Sequence, residues 1–238
     1  MNRRAARTIS RRLLVAVVML SPPWAWARGT PDSKIGPIDP YLMADRNAEI
    51  AMARSAAPPS ISRDATVLVL TRHGYETASA GKNGFVCVVE RSWMSGFDDA
   101  GFWSSKVRGP ICFNAPAVRS ILPITLKRTE LVLAGRSKAE IASAIRAAFG
   151  RKELPALEPG AMCFMLSRDG RIGDGSGPWA PHMMFYVPQT DAAAWGADQP
   201  GSPVLMSSQF NGAPEPVTVF MIMVHQWSDG TPFAMSQH

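Results

Sequence analysis

Residues 66–90, TVLVLTRHGYETASAGKNGFVCVVE, constrain the fold more than any other stretch. An apolar run, Val67-Leu68-Val69-Leu70, leads into Arg72-His73-Gly74, and a second run, Phe85-Val86-Cys87-Val88-Val89, follows. If the chain entered a helix after Gly74, Arg72 and His73 would stand at a sheet edge where a phosphate could be met. If it turned back as a strand, they would be the polar tip of a hairpin. Gly81, Asn83 and Gly84 are poor material for a helix that must pack behind a catalytic loop. The hairpin is therefore the expectation.

Downstream, Asn114 is placed to cap a long helix reaching Ala134, with Pro116 in its first turn. Pro123 should kink or split that helix, and Gly135 should close it. Ser137-Lys138-Ala139-Glu140 is a capping box that opens a second helix, stopped at Gly150. Short buried strands are expected at 162–166, 183–187 and 217–224, with Arg168-Asp169-Gly170 as a turn after the first. Strands, then a helical pair, then strands predict an α+β class, a single domain around a largely antiparallel sheet. The strands are apolar on both faces, as in parallel sheets covered by helices. Strong helical signals occupy only one crossover, however, so the antiparallel arrangement is preferred.

Before the first strand, Asp39-Pro40 reads as the start of an alanine-rich helix running through Ala57. With few large apolar anchors it is expected to pack loosely, and Pro58-Pro59-Ser60 ends it. The predicted organisation is a linker and helical arm over 28–60, then one α+β domain over 61–238.

The first 27 residues read as a cleavable signal peptide. Arg3, Arg4, Arg7, Arg11 and Arg12 precede an apolar run from Leu13 to Leu20, and Ala25-Trp26-Ala27 supplies the small residues of a cleavage site. The apolar run is about half the length a membrane-spanning helix needs. Ser10-Arg11-Arg12-Leu13-Leu14 resembles a twin-arginine export motif, so either bacterial route is compatible. The net charge of +6 falls to near +1 without this segment. No basic cluster with interleaved aromatics remains, which argues against nucleic acid as a partner. No stable membrane anchor is expected after cleavage, and the periplasm or the exterior is the expected location.

In such an oxidising compartment three cysteines, Cys87, Cys112 and Cys163, leave either one pair and a leftover or none paired. A Cys87–Cys112 bridge is preferred, because it would close the aromatic-rich segment containing Trp93, Phe97, Phe102 and Trp103. Those aromatics read as a lid over the sheet or as a binding surface. Cys163 reads as a small buried hydrophobe. The cysteines lack metal-ligand spacing, and the thirteen methionines read as fillers of irregular core gaps. No cofactor is expected.

Three candidate constellations remain. A strand running into Arg72-His73-Gly74 resembles the first motif of the histidine phosphatases. That resemblance implies His73 as phosphate acceptor, Arg72 on the phosphoryl oxygens and His225, after the last strand, as a second histidine. Tyr75-Glu76-Thr77 and Gln226-Trp227 depart from that family's pattern. The second constellation is His182 with Trp179 and Asp174 of the preceding glycine-rich loop, either facing a ligand or, for the histidine, bonded to a local carbonyl. The third, a metal centre from His73, His182 and His225, would require three distant segments to converge.

Residues 81–89 (GKNGFVCVV), Pro110-Ile111-Cys112-Phe113 and residues 181–188 (PHMMFYVP) together resemble a family of exported bacterial proteins without an assigned activity. The resemblance implies a hairpin turn at Arg72-His73-Gly74 and a Cys87–Cys112 pair. It implies no catalytic residue. The expected function is a non-catalytic domain binding a small ligand or envelope component around His182, Trp179 and Asp174. The alternative is a phosphomonoester hydrolase using Arg72 and His73.

Overall fold

The computed structural model describes residues 33–171, 178–210 and 213–234. The chain is an α+β single domain built on one eight-stranded sheet. Its strands are β1 (Thr66–Thr71), β2 (Gly74–Ser79), β3 (Val86–Glu90), β4 (Gly109–Phe113), β5 (Met162–Met165), β6 (His182–Pro188), β7 (Val204–Met206) and β8 (Val217–Met223). They lie in the order β2-β1-β3-β4-β5-β6-β8-β7, and every neighbouring pair is antiparallel except β1 and β3.

The hairpin forms as expected. Thr71 pairs with Gly74 across Arg72-His73, and Gly74 has φ +117°, a conformation that suits a residue without Cβ. The returning strand is the half-exposed β2, and the apolar run of β3 then joins β1 in parallel at only two positions. Residues 80–85 carry the chain back along β1 to make that parallel pairing. Gly81 passes so close to it that a Cβ there would stand 2.2 Å from the Thr66 amide nitrogen.

Beyond Val67 the two strands splay, and their freed backbone groups find side-chain partners. The Leu70 N–H donates to Glu49 Oε1 at 3.1 Å, and the Tyr75 hydroxyl donates to the Val89 carbonyl at 2.8 Å. Arg91 also donates to that carbonyl, reaches the Tyr41 carbonyl at 2.8 Å and pairs with Glu49 at 2.8 Å, with both charged side chains inside the protein.

Glu49 belongs to α1 (Arg46–Arg54), which starts later than Asp39-Pro40 led one to expect. Asp39-Pro40 starts only a 3-10 turn ending at Tyr41, after which Leu42 is extended. The helix begins instead at Asp45, whose carboxylate accepts from the Asn47 N–H at 2.8 Å, while the Asp39 side chain is engaged in an exposed ion pair with Arg72. Nor is the packing loose. Ala53, Ala56 and Ala57 are buried against Val67, Cys87, Val89 and Cys112 on one face of the sheet. Small side chains let the helix sit close to the strands. Pro59 then opens a further single turn, α2 (Pro59–Ser62).

The opposite face is covered by α3 (Ala115–Ser120), α4 (Leu122–Leu133) and α5 (Lys138–Gly150). Asn114 caps α3 by accepting from the Ala117 N–H at 3.1 Å, and the chain divides at Ile121, just ahead of Pro123. Gly135 takes φ +69° after α4, and both halves of the Ser137–Glu140 capping box form. Helices on both faces of the β1-β3-β4 end explain why its strands are apolar on both sides in a mainly antiparallel sheet. The second layer comes from the segment before the first strand.

The Cys87–Cys112 bridge joins directly opposed residues of β3 and β4. Gly109-Pro110 begins β4. Trp93 and Phe102 are buried in the main core, with Trp93 Nε1 donating to Thr129 at 3.0 Å. These two rings are interior packing, neither a lid nor a surface. The bridge lies on the other face of the sheet, under α1. Cys163 is free and buried.

Candidate functional site

At the β5-β6-β8 end of the sheet, the face that elsewhere meets α3 and α4 opens into a cavity of about 450 Å³. Strand register sets its floor. Met165 of β5, His182 of β6 and Met223 of β8 are paired side by side, and so are Met184 of β6, Met221 of β8 and Leu205 of β7 in the next row. Paired residues present their side chains to the same face with Cβ atoms about 5 Å apart. Met94 and Met206 also line the cavity, which therefore collects six of the thirteen methionines of the chain.

Met94, Ser95 and Gly96, together with Ser207 and Gln209 after β7, bound the cavity beyond the sheet. Arg128 of α4 holds the first of these segments by donating to the Trp93 and Ser95 carbonyls, each at 3.0 Å. Its guanidinium lies 4.4 Å from the Phe97 ring and pairs with Glu215, just before β8, at 2.7 Å. Both charged side chains are fully enclosed, so this pair fixes the spacing between α4 and the start of β8.

His182 is 4% exposed. Its Nδ1 lies 2.8 Å from the Ala180 carbonyl oxygen, an atom that can only accept. Nδ1 therefore carries the proton. Burial holds the ring's pKa below the ordinary histidine value, partly offset by that same bond, so the ring is neutral at pH 7. Nε2 is consequently a bare lone pair, and it is buried with no hydrogen-bond partner in a residue that lines the cavity. The half-buried Trp179 ring stacks on the imidazole, with centroids 5.7 Å apart and planes inclined at 24°. Its Nε1, a donor, is also buried without a partner.

A carboxyl completes the lining. Glu90, at the end of β3, accepts from the Thr125 hydroxyl at 2.8 Å. Desolvation pushes its pKa up to about 7, with the Thr125 hydrogen bond and the nearby Arg128 charge working in the other direction. The cavity thus offers an acceptor nitrogen, an indole donor, a carboxyl that titrates near neutrality and polarizable thioether walls, with Arg91 and Asp99 also in its lining.

Of the residues singled out from sequence, His182 and Trp179 come together at this cavity, and Asp174 lies outside the described residues. The histidine combines both readings of it, since one nitrogen bonds a local carbonyl and the other faces the cavity. Arg72 and His73 are exposed at the β1–β2 turn, and His225 is exposed just past β8. Four strands separate β1 from β8, so these three do not converge. Among the described residues, no group of three or more His, Cys, Asp or Glu side chains is arranged to hold a metal ion. No described helix is long and apolar enough to cross a membrane.

Sequence reasoning missed Glu90, Arg128 and the methionine lining. A signal for the last was present: Met184 follows His182 by two, and Met221 and Met223 are two apart, the period that puts strand residues on one face. Compared with family models, with curated proteins and with solved structures, the chain matches none.

Proposed function

We propose that this is an exported, non-catalytic domain that binds a small ligand in the methionine-lined cavity, with His182 and Trp179 as its polar recognition groups. One observation carries the reading. An acceptor, His182 Nε2, and a donor, Trp179 Nε1, are buried without partners at a cavity of about 450 Å³. Buried polar groups left unpaired are costly, and a ligand that pairs them removes that cost. The volume falls within the ordinary range of small-molecule sites. Export draws its support from the basic, apolar and small-residue sequence of residues 1–27, and from a disulfide, which persists in oxidising compartments.

The test is a thermal-shift screen of envelope metabolites and inorganic ions against the chain lacking residues 1–27. A ligand present at 100 times its dissociation constant stabilises by about 2.7 kcal/mol. In a domain of this size that raises the melting temperature by roughly 5–10 °C. The shift is expected to vanish in His182→Ala and to shrink in Trp179→Phe. Flat melting across the screen, or a shift indifferent to both substitutions, would contradict the proposal.

A further inference from the structure

We propose that the ligand class of this cavity is a soft monovalent metal ion, Cu(I), held by His182 Nε2 between the thioethers of Met165 and Met223. The inference rests on the binding reading above and deepens its His182 half, with Trp179 acting through its ring and not through its N–H.

Three neighbouring strands supply the three donors in register, Met165 opposite His182 and His182 opposite Met223, and all three side chains line the cavity. Methionine has three rotatable bonds beyond Cα, so a thioether on either side can swing toward the central imidazole. The imidazole is already set up as a ligand. Its Nδ1–H is anchored on the Ala180 carbonyl, the outer contact that fixes tautomer and ring orientation in metal-binding histidines. Its remaining lone pair has thioethers as its cross-strand neighbours, and a thioether has no hydrogen to donate.

Thioether sulfur is soft and uncharged. It is a poor ligand for Mg²⁺ or Ca²⁺ and is selective for Cu(I). Met184 and Met221 in the adjacent row offer further sulfur to the same ion. The Trp179 ring, stacked on the imidazole, covers the ligand and helps keep water from it.

The experiment is an anaerobic titration of the disulfide-bonded chain with Cu(I) against the competing chelator bicinchoninate, with X-ray absorption of the complex. One ion per chain is expected, in a mixed nitrogen and sulfur shell. Removing a supporting contact around a metal ligand typically weakens binding by about 10–100-fold, so losing the imidazole in His182→Ala should cost at least about 100-fold. Met165→Leu and Met223→Leu, which preserve volume, should each weaken binding by about tenfold. Met183→Leu, on the opposite face of β6, and His225→Ala should change nothing.

A shell of nitrogen and oxygen alone, or an affinity unchanged in His182→Ala, would overturn the assignment. So would no binding at all. If Cu(I) fails but an organic ligand from the thermal-shift screen depends on His182, the metal assignment falls and the binding reading stands. If neither binds, both fall.

Discussion

The two ends of the sheet are made from similar apolar strands and have opposite interiors. At the β1-β3-β4 end, helices cover both faces and a disulfide joins neighbouring strands. The splay between β1 and β3 is filled by Glu49 and Arg91, each satisfied by the other and by backbone, although Arg91 also borders the cavity. At the β5-β6-β8 end, one face borders a cavity, and the imidazole and indole there have unpaired nitrogens. Unpaired buried atoms occur at the packed end too, in Arg54 and Ser92, but those residues do not line the cavity, whereas His182 and Trp179 do. An apolar run in sequence does not distinguish a packed wall from a cavity wall; unpaired polar atoms that also line a cavity do.

The sharpest contrast is expected from charge removal. Arg91→Ala leaves the Glu49 carboxylate buried without its partner and should lower stability by about 3–5 kcal/mol in denaturant unfolding. His182→Ala, at the open end, removes a side chain whose Nε2 holds nothing, and should cost clearly less. Equal losses would erase the distinction.

Breaking the bridge with Cys87→Ala/Cys112→Ala comes next. The sequence separation is 25, for which the loop-entropy relation gives about 3–4 kcal/mol, measurable in the same unfolding experiment.

Glu90 gives a pH dependence of comparable size. Its pKa is about 7 when folded and 4.5 in the ordinary state, so between those values the folded chain binds more proton than the unfolded one. Stability must then fall as pH rises through that window, by about 3 kcal/mol in all. Glu90→Gln, which keeps the Thr125 contact, should flatten this decline.

The smallest loss is expected on the cavity wall, set beside a truncation in the packed core. Ile111→Ala, in the filled core, should cost about 2–5 kcal/mol. Met221→Leu, on the cavity wall, should cost less than about 1.5 kcal/mol.

Local signals carried much of the fold. The Ser137–Glu140 capping box, the Asn114 cap, the break near Pro123 and the Arg72-His73 turn depend on neighbouring residues, and each forms. What was illegible depends on distant partners. Ala53, Ala56 and Ala57, at and just past the end of α1, looked like weak anchors because nothing local reveals that a sheet lies close against them. The parallel β1–β3 pairing follows from a six-residue excursion after β2 that has no pattern of its own. At the site, His182 and Trp179 could be singled out because they sit together before a strand. The methionine rows exist only once β5, β6 and β8 are placed in register.

The lone pair of His182 is the point on which the account of the cavity turns, and nitrogen-15 NMR of histidine-labelled protein reads it directly. At neutral pH, without ligand, His182 is expected to be a neutral ring with the proton on Nδ1 and an unprotonated Nε2. A ring protonated on Nε2, or an imidazolium, would contradict it, because either would leave no lone pair on Nε2 to offer a ligand.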